Sequence, residues 1–192
     1  FAWLTVDRSP FSLRQHPFSF VSSAEHRGSL CFAIKELGDF TTQIKSLPIG
    51  TTVYVDGPHG TFAADCHKAP GYVMIAGGIG SGPIMSMLRT MVDRGETCPV
   101  VLFYGCRAWD TVIFREELEE LRKRPNLRVV YVLQEPPEGW EGESGFITAD
   151  VLDRHLPDNR KELGYLICGP LPMINFVEKG LRSLGVPRGR IH

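Results

Sequence analysis

From Gly71 onward the chain alternates apolar runs of strand length with amphipathic stretches of helical length, and this limits the possible folds more than any other feature. The runs at 72–76, 100–104, 128–133 and 165–167 are built mainly from Val, Ile, Leu, Tyr and Phe. The stretches at 84–92, 112–123, 149–155 and 173–184 place apolar residues at helical spacing. Continuously apolar strands separated by helices predict a parallel sheet covered on both faces. In such sheets ligands bind at the carboxyl ends of the strands.

The first third is organised differently. Short runs rich in β-branched and aromatic residues at 1–6, 18–22, 29–35 and 52–55 predict strands, with one short helix at 40–46. This pattern predicts part of an antiparallel sheet or barrel. The change falls within 63–70, giving two expected domains, 1–68 and 69–192. The overall expectation is an α/β chain without internal repeats.

Composition removes several classes of function. Lys and Arg number 21 against 22 Asp and Glu, and Arg122-Lys123-Arg124 is the one tight basic cluster, so no nucleic-acid partner is expected. Five cysteines with no C-x-x-C pair suggest neither a zinc or iron–sulfur cradle nor a disulfide framework, and a reducing compartment fits best. His59, Cys66 and His67 match no common ligand spacing, so no metal site is expected. There is no apolar run of membrane-spanning length and no signal-peptide pattern, so this segment itself is expected to be soluble. Phe1 opens directly in a strand-like run and 189–192 reads as the start of a further strand. The chain is therefore expected to be part of a larger protein.

Unusual residues gather where the predicted strands end. The first strand runs into Gly77-Gly78-Ile79-Gly80-Ser81-Gly82-Pro83 and then a helix, a pattern that can present bare backbone N–H groups to a phosphate. It is not a P-loop, because no Gly-Lys-Ser/Thr follows, and Pro83 stands where G-x-G-x-x-G needs its third glycine. Tight packing or positive φ would explain the same glycines. The other strand ends carry Tyr104-Gly105-Cys106-Arg107, Gln134-Glu135-Pro136 and Cys168-Gly169-Pro170-Leu171-Pro172-Met173. Arg107 reads either as a fixed cation for a ribose or phosphate or as half of a surface salt bridge.

Five motifs, in order, resemble the ferredoxin–NADP reductase superfamily, most closely its ferric reductase and NADPH oxidase branch. They are His16-Pro17-Phe18-Ser19, Gly38-Asp39-Phe40-Thr41, Asp56-Gly57-Pro58-His59-Gly60, Gly77-Gly78-Ile79-Gly80 with Pro83, and Cys168-Gly169-Pro170 with Pro172 and Met173. The likeness covers nearly the whole chain. It implies a partial antiparallel flavin-binding β-barrel followed by a parallel five-stranded αβα nucleotide-binding domain, the barrel lacking its first strands and the second domain its last. His-Pro-Phe-Ser stands where many soluble relatives have Arg-x-Tyr-Ser, which looks like the membrane-bound branch and removes a bidentate phosphate contact.

The resemblance implies FAD and NADPH or NADH as cofactors, with the hydroxyl of Ser19 near the flavin N5 and the thiol of Cys168 facing the nicotinamide C4. These two are the expected catalytic residues. Cofactor contacts are expected from His16, Pro17, Phe18, Ser19, Gly38, Phe40, Thr41, Gly60, Gly78, Gly80, Pro83, Arg107, Cys168, Gly169, Pro172 and Met173. The implied reaction is hydride transfer from NAD(P)H to flavin, then release of single electrons to haem in a transmembrane domain of the same protein, or to a ferric acceptor, on the cytoplasmic side of a membrane. A soluble flavoreductase serving an oxygenase or iron–sulfur partner, and a nucleotide-binding regulatory module without turnover, are the alternatives. An incomplete barrel is expected to bind flavin poorly by itself.

Overall fold

The computed structural model describes residues 1–6, 9 and 11–192. The first sheet has three antiparallel strands in the order β2-β1-β3: β1 (Ala2–Thr5), β2 (His16–Phe18) and β3 (Tyr54–Asp56), with helix α1 (Asp39–Lys45) between β2 and β3. The second sheet is parallel throughout, with the order β7-β6-β5-β4-β8. Its strands are β4 (Tyr72–Gly77), β5 (Val100–Cys106), β6 (Leu127–Leu133), β7 (Glu143–Ser144) and β8 (Gly164–Cys168). Helices α2 (Ser81–Asp93), α3 (Arg115–Leu121), α4 (Ala149–His155) and α5 (Leu171–Ser183) accompany them.

Side chains alternate across a strand, so each buried strand feeds two cores. Met74 and Ala76 of β4, with Leu102, Tyr104 and Leu166, meet Ile84 and Leu88 of α2 and Leu118 of α3. Val73 and Ile75, with Phe103, Val132 and Ile167, meet Val151 and Leu152 of α4 and Val177 and Leu181 of α5. Each Val, Leu, Ile, Phe or Met among these that is removed from water contributes about 1.5–3 kcal/mol. The expected parallel five-stranded sheet with helices on both faces is therefore present.

Details of the expected elements change for identifiable reasons. The runs at 18–22 and 29–35 form no strands beyond β2 and meet at a bridge between Phe20 and Phe32 and through the Cys31 N–H, which donates to the Ser22 hydroxyl at 3.2 Å. Val21, Ser22 and Ser23 are buried instead against α2, whose side chains take several of the segment's backbone hydrogen bonds. The helix expected at 112–123 starts at Arg115, because Phe114 adopts a left-handed φ of 61° and the Ile113 N–H is held by the Tyr104 hydroxyl at 3.0 Å. The fifth strand of the sheet is Glu143–Ser144, too short and polar for an apolar pattern to reveal. At the opposite edge Ile191 bridges in parallel to Tyr165, in line with a strand beginning in 189–192. Among the described residues no helix is long and apolar enough to cross a membrane.

Candidate active site

The order of the parallel sheet locates the site. From β4 the chain moves outward through β5, β6 and β7, then returns to place β8 on the other side of β4. The loops leaving β4 and β8 are therefore neighbours at the point where the strand order reverses, the place at which ligands bind in such sheets. The β4 loop is the glycine turn, and the β8 loop is Cys168-Gly169-Pro170.

These two loops touch through backbone. A Cβ on Gly80 would lie 2.2 Å from the Cys168 carbonyl oxygen and 2.8 Å from the Gly169 nitrogen. One on Gly77 would lie 2.5 Å from Met173 Sδ, and one on Gly169 would lie 2.5 Å from Met173 Cε. Gly77, Gly80 and Gly169 thus serve close packing. Gly78 differs: its φ is +53°, it is exposed, and nothing lies within 4 Å of a Cβ there. It leaves bare backbone open beside the first turn of α2, where helix N–H groups lack intrahelical acceptors.

A cleft of about 580 Å³ runs between the two sheets. Ser19, Gly60, Pro83 and Cys168 line it, so it brings together residues from the segment after β2, the loop after β3, helix α2 and the end of β8. Ser19 is exposed in it. Gly60 has φ +88°, and a Cβ there would press on the Phe1 ring at 3.3 Å. Burial pushes the Cys168 thiol above its ordinary pKa, keeping it protonated and weakly nucleophilic at neutral pH. Pro172 is exposed and Met173 half-buried in the first turn of α5, behind the Cys168 loop.

The remaining expected residues lie outside that cleft. Phe40 of α1 stacks on His16, with centroids 3.5 Å apart and 16° between planes, and on Phe18 at 6.1 Å. Pro17 between them is exposed. The Thr41 hydroxyl accepts from the N–H groups of Leu37 at 2.8 Å and Gly38 at 3.0 Å and donates to the Gly38 carbonyl at 2.9 Å. Its hydrogen bonds are thus occupied in holding the turn that starts α1. Nothing lies within 4 Å of a Cβ on Gly38, so packing within the chain does not require a glycine there. Arg107 is exposed and paired with Glu135, Nε to Oε1 3.0 Å, while the Glu135 N–H donates to the Arg107 carbonyl at 2.8 Å. In this arrangement Arg107 forms a salt bridge across the ends of β5 and β6.

Several cleft residues were not among those expected from sequence, including Phe20, Pro58, Met87, Thr90 and Arg94. Arg94 bonds Glu25 at 2.7 Å and Asp65 at 2.9 Å, joining the segments on either side of the cleft. The available signal was the spacing of Ser86, Thr90 and Arg94, polar residues four apart along a largely apolar helix.

Residues 74–179, which span this sheet and its loops, match the family model for the oxidoreductase NAD-binding domain. The chain belongs to this family. Within the family it is similar to the NADH-cytochrome b5 reductase 1 of Aspergillus terreus, 31% identical over 179 residues that cover 88% of this chain and 60% of that protein. The Debaryomyces hansenii protein of the same name is 33% identical over 175 residues, covering 88% and 62%. The chain thus spans about 60% of the length of these curated relatives. Among solved structures, the cytochrome b5 reductase domain of Ulva prolifera nitrate reductase superposes with a TM-score of 0.82 at 23% identity, covering 98% of this chain and 80% of that one. A ferredoxin NADP+ reductase from Neisseria gonorrhoeae gives 0.77 at 21% identity, covering 96% and 78%. The chain shares its fold with these two structures.

Proposed function

We propose that this chain is the cofactor-binding part of a flavin-dependent NADH oxidoreductase that passes electrons singly to a haem-type acceptor. The carrying observation is that Ser19 and Cys168, which belong to different halves of the chain, line one cleft at the switch point of the parallel sheet. On this reading residues 1–68 hold the flavin and 69–192 the nucleotide.

The residues present fit both groups. Gly38 and Gly78 each offer backbone where a side chain would stand in open space, as close approach to a phosphate requires. The stacked His16 and Phe40 supply a flat wall beside Phe18. When bound, flavin and nicotinamide supply the hydride chemistry, and the protein supplies placement and polarity. Ser19 places a hydroxyl that can donate or accept a hydrogen bond in either redox state. Cys168 keeps a small neutral thiol at the end of β8, filling space without presenting a charge. Pro83 and Gly60 border the cleft.

NADH is favoured over NADPH by two observations. The curated relatives carry NADH in their names, and Glu135 already neutralises Arg107, the cation a 2′-phosphate would seek. Anaerobic mixing of the full-length, flavin-loaded protein with NADH tests the proposal. Bleaching of the flavin absorbance is expected; no bleaching would leave a nucleotide-binding module without turnover. For the acceptor, a second reading rests on His16-Pro17-Phe18-Ser19: a ferric reductase or NADPH oxidase type of protein with haem in a transmembrane domain. Reduction of endogenous haem in membranes carrying the full-length protein, with no need for added cytochrome b5, would favour it.

A further inference from the structure

Helix α2 carries Ser86, Arg89 and Thr90 on one face, while Ile84, Leu88 and Met91 point into the core. All three polar side chains hold backbone atoms of 21–24. The Ser86 hydroxyl donates to the Ser22 carbonyl at 2.7 Å, and Thr90 Oγ1 accepts from the Ala24 N–H at 2.9 Å. Arg89 Nη1 donates to the Val21 carbonyl. Just before these, a Cβ on Gly82 would touch Val21 Cγ1 at 3.1 Å, so the segment lies close along the helix from its first turn.

The segment begins two residues after Ser19, and α2 begins at the glycine turn that contacts the Cys168 carbonyl. One helix therefore holds both walls of the cleft. Arg89 is itself fixed on every side. Its Nε donates to Glu117 Oε1 at 2.7 Å, its Nη2 bonds the other Glu117 oxygen, and its guanidinium lies 5.1 Å from the Phe114 ring centroid. Phe114 is the non-glycine residue with positive φ among those described, a strained conformation for a bulky side chain. That strain sets the Phe114 ring against Arg89.

We propose that Ser86, Arg89 and Thr90 are positioning residues that set the separation between Ser19 and Cys168, and so govern hydride transfer through the placement of the two cleft walls. The inference rests on the oxidoreductase reading above. Its physical basis is the steepness of transfer with distance: reacting atoms must approach to about 3–3.5 Å, and a misplacement of about 1 Å can cost about 100-fold in rate.

The test uses the full-length, flavin-loaded protein and the variants Thr90→Val, Arg89→Lys and Arg89→Ala. Thr90→Val keeps the side-chain shape and removes only the hydroxyl. Two quantities are read: the limiting rate of flavin bleaching with its half-saturating NADH concentration, and amide hydrogen exchange of the peptide spanning 20–25. For Thr90→Val, exchange at Ala24 is expected to rise, the limiting rate to fall about tenfold, and half-saturation to stay within about twofold. Arg89→Lys is expected to retain more of the rate than Arg89→Ala, because it keeps the charge but not the fork that joins Val21 to Glu117. Unchanged exchange, or faster exchange with an unchanged rate, would overturn the positioning role. Failure of the wild-type flavin to bleach would overturn the oxidoreductase reading itself, and is seen before any variant is compared.

Discussion

Gly80→Ala is expected to destabilise the protein far more than Gly78→Ala, although the two glycines are two residues apart in one turn. At Gly80 the new methyl would lie 2.2 Å from the Cys168 oxygen and 2.5 Å from the Cys168 carbonyl carbon. Ordinary contact begins at about 3.4 Å. The obstructing atoms are backbone at the end of β8, so relief requires the two loops to part by roughly 1 Å rather than a side chain to rotate. Overpacking of this kind costs about 1–3 kcal/mol, and rigid backbone on the far side puts Gly80 at the upper end. In a protein of this size each kcal/mol lowers the melting temperature by about 2–4 °C, so a fall of about 6–12 °C is expected. At Gly78 the space is open and the cost is that of a left-handed alanine, about 1 kcal/mol at the lower end, or about 2–4 °C. Nucleotide affinity should rank the other way, with Gly78→Ala weakening binding while the fold persists. Thermal denaturation of the full-length variants, followed by calorimetry, decides the matter. A Gly80→Ala protein melting within about 2 °C of wild type would refute the backbone-contact argument.

Three further outcomes follow from the geometry. Glu135→Ala frees Arg107, and the ratio of kcat/KM for NADPH over NADH should rise about tenfold, the worth of one charge-assisted hydrogen bond; steady-state kinetics with both nucleotides measures it, and an unchanged ratio would place Arg107 away from the ribose. The Glu143 carboxyl is held below its ordinary value of 4.5, chiefly by its hydrogen bonds from Arg154, so its stabilisation is complete above that value and is lost as pH falls through the lower folded-state value. Melting curves of Glu143→Gln should accordingly differ from wild type most at neutral pH and converge in acid. Under limiting iodoacetamide, peptide mass spectrometry should find exposed Cys31 and Cys66 modified ahead of Cys168, whose thiol is kept protonated by burial; early modification of Cys168 would contradict the environment described for it.

What could be read from sequence followed the physics of local pattern. The strands β4, β5, β6 and β8 are apolar on both faces, and that signal needs no tertiary information. The glycine turn was equally visible, but its two uses were not separable: only the approach of Cys168, nearly ninety residues on, distinguishes Gly80 as a packing glycine from Gly78 as an open one. The strands expected at 18–22 and 29–35 failed for a related reason. Val21 to Ala24 have strand-like composition around two serines, yet the Val21 and Ser22 carbonyls and the Ala24 N–H are held by side chains of α2, more than sixty residues away. Phe114 shows the limit most plainly, since a left-handed phenylalanine runs against local preference and is tolerated only where the surrounding structure holds it. Ser19 and Cys168, by contrast, were reached through the resemblance of ordered motifs, and the cleft brings those two together.

On the proposed function, hydride passes across the cleft between Ser19 and Cys168. The most direct test is the anaerobic bleaching rate of the full-length, flavin-loaded protein with NADH and with NADH deuterated at C4, in wild type and in Ser19→Ala. Rapid bleaching slowed by deuterium is expected, with a fall of at least about tenfold in Ser19→Ala and nucleotide affinity retained, as for loss of one well-placed hydrogen bond. Bleaching that is absent, or that proceeds in Ser19→Ala at the wild-type rate, would contradict that proposal.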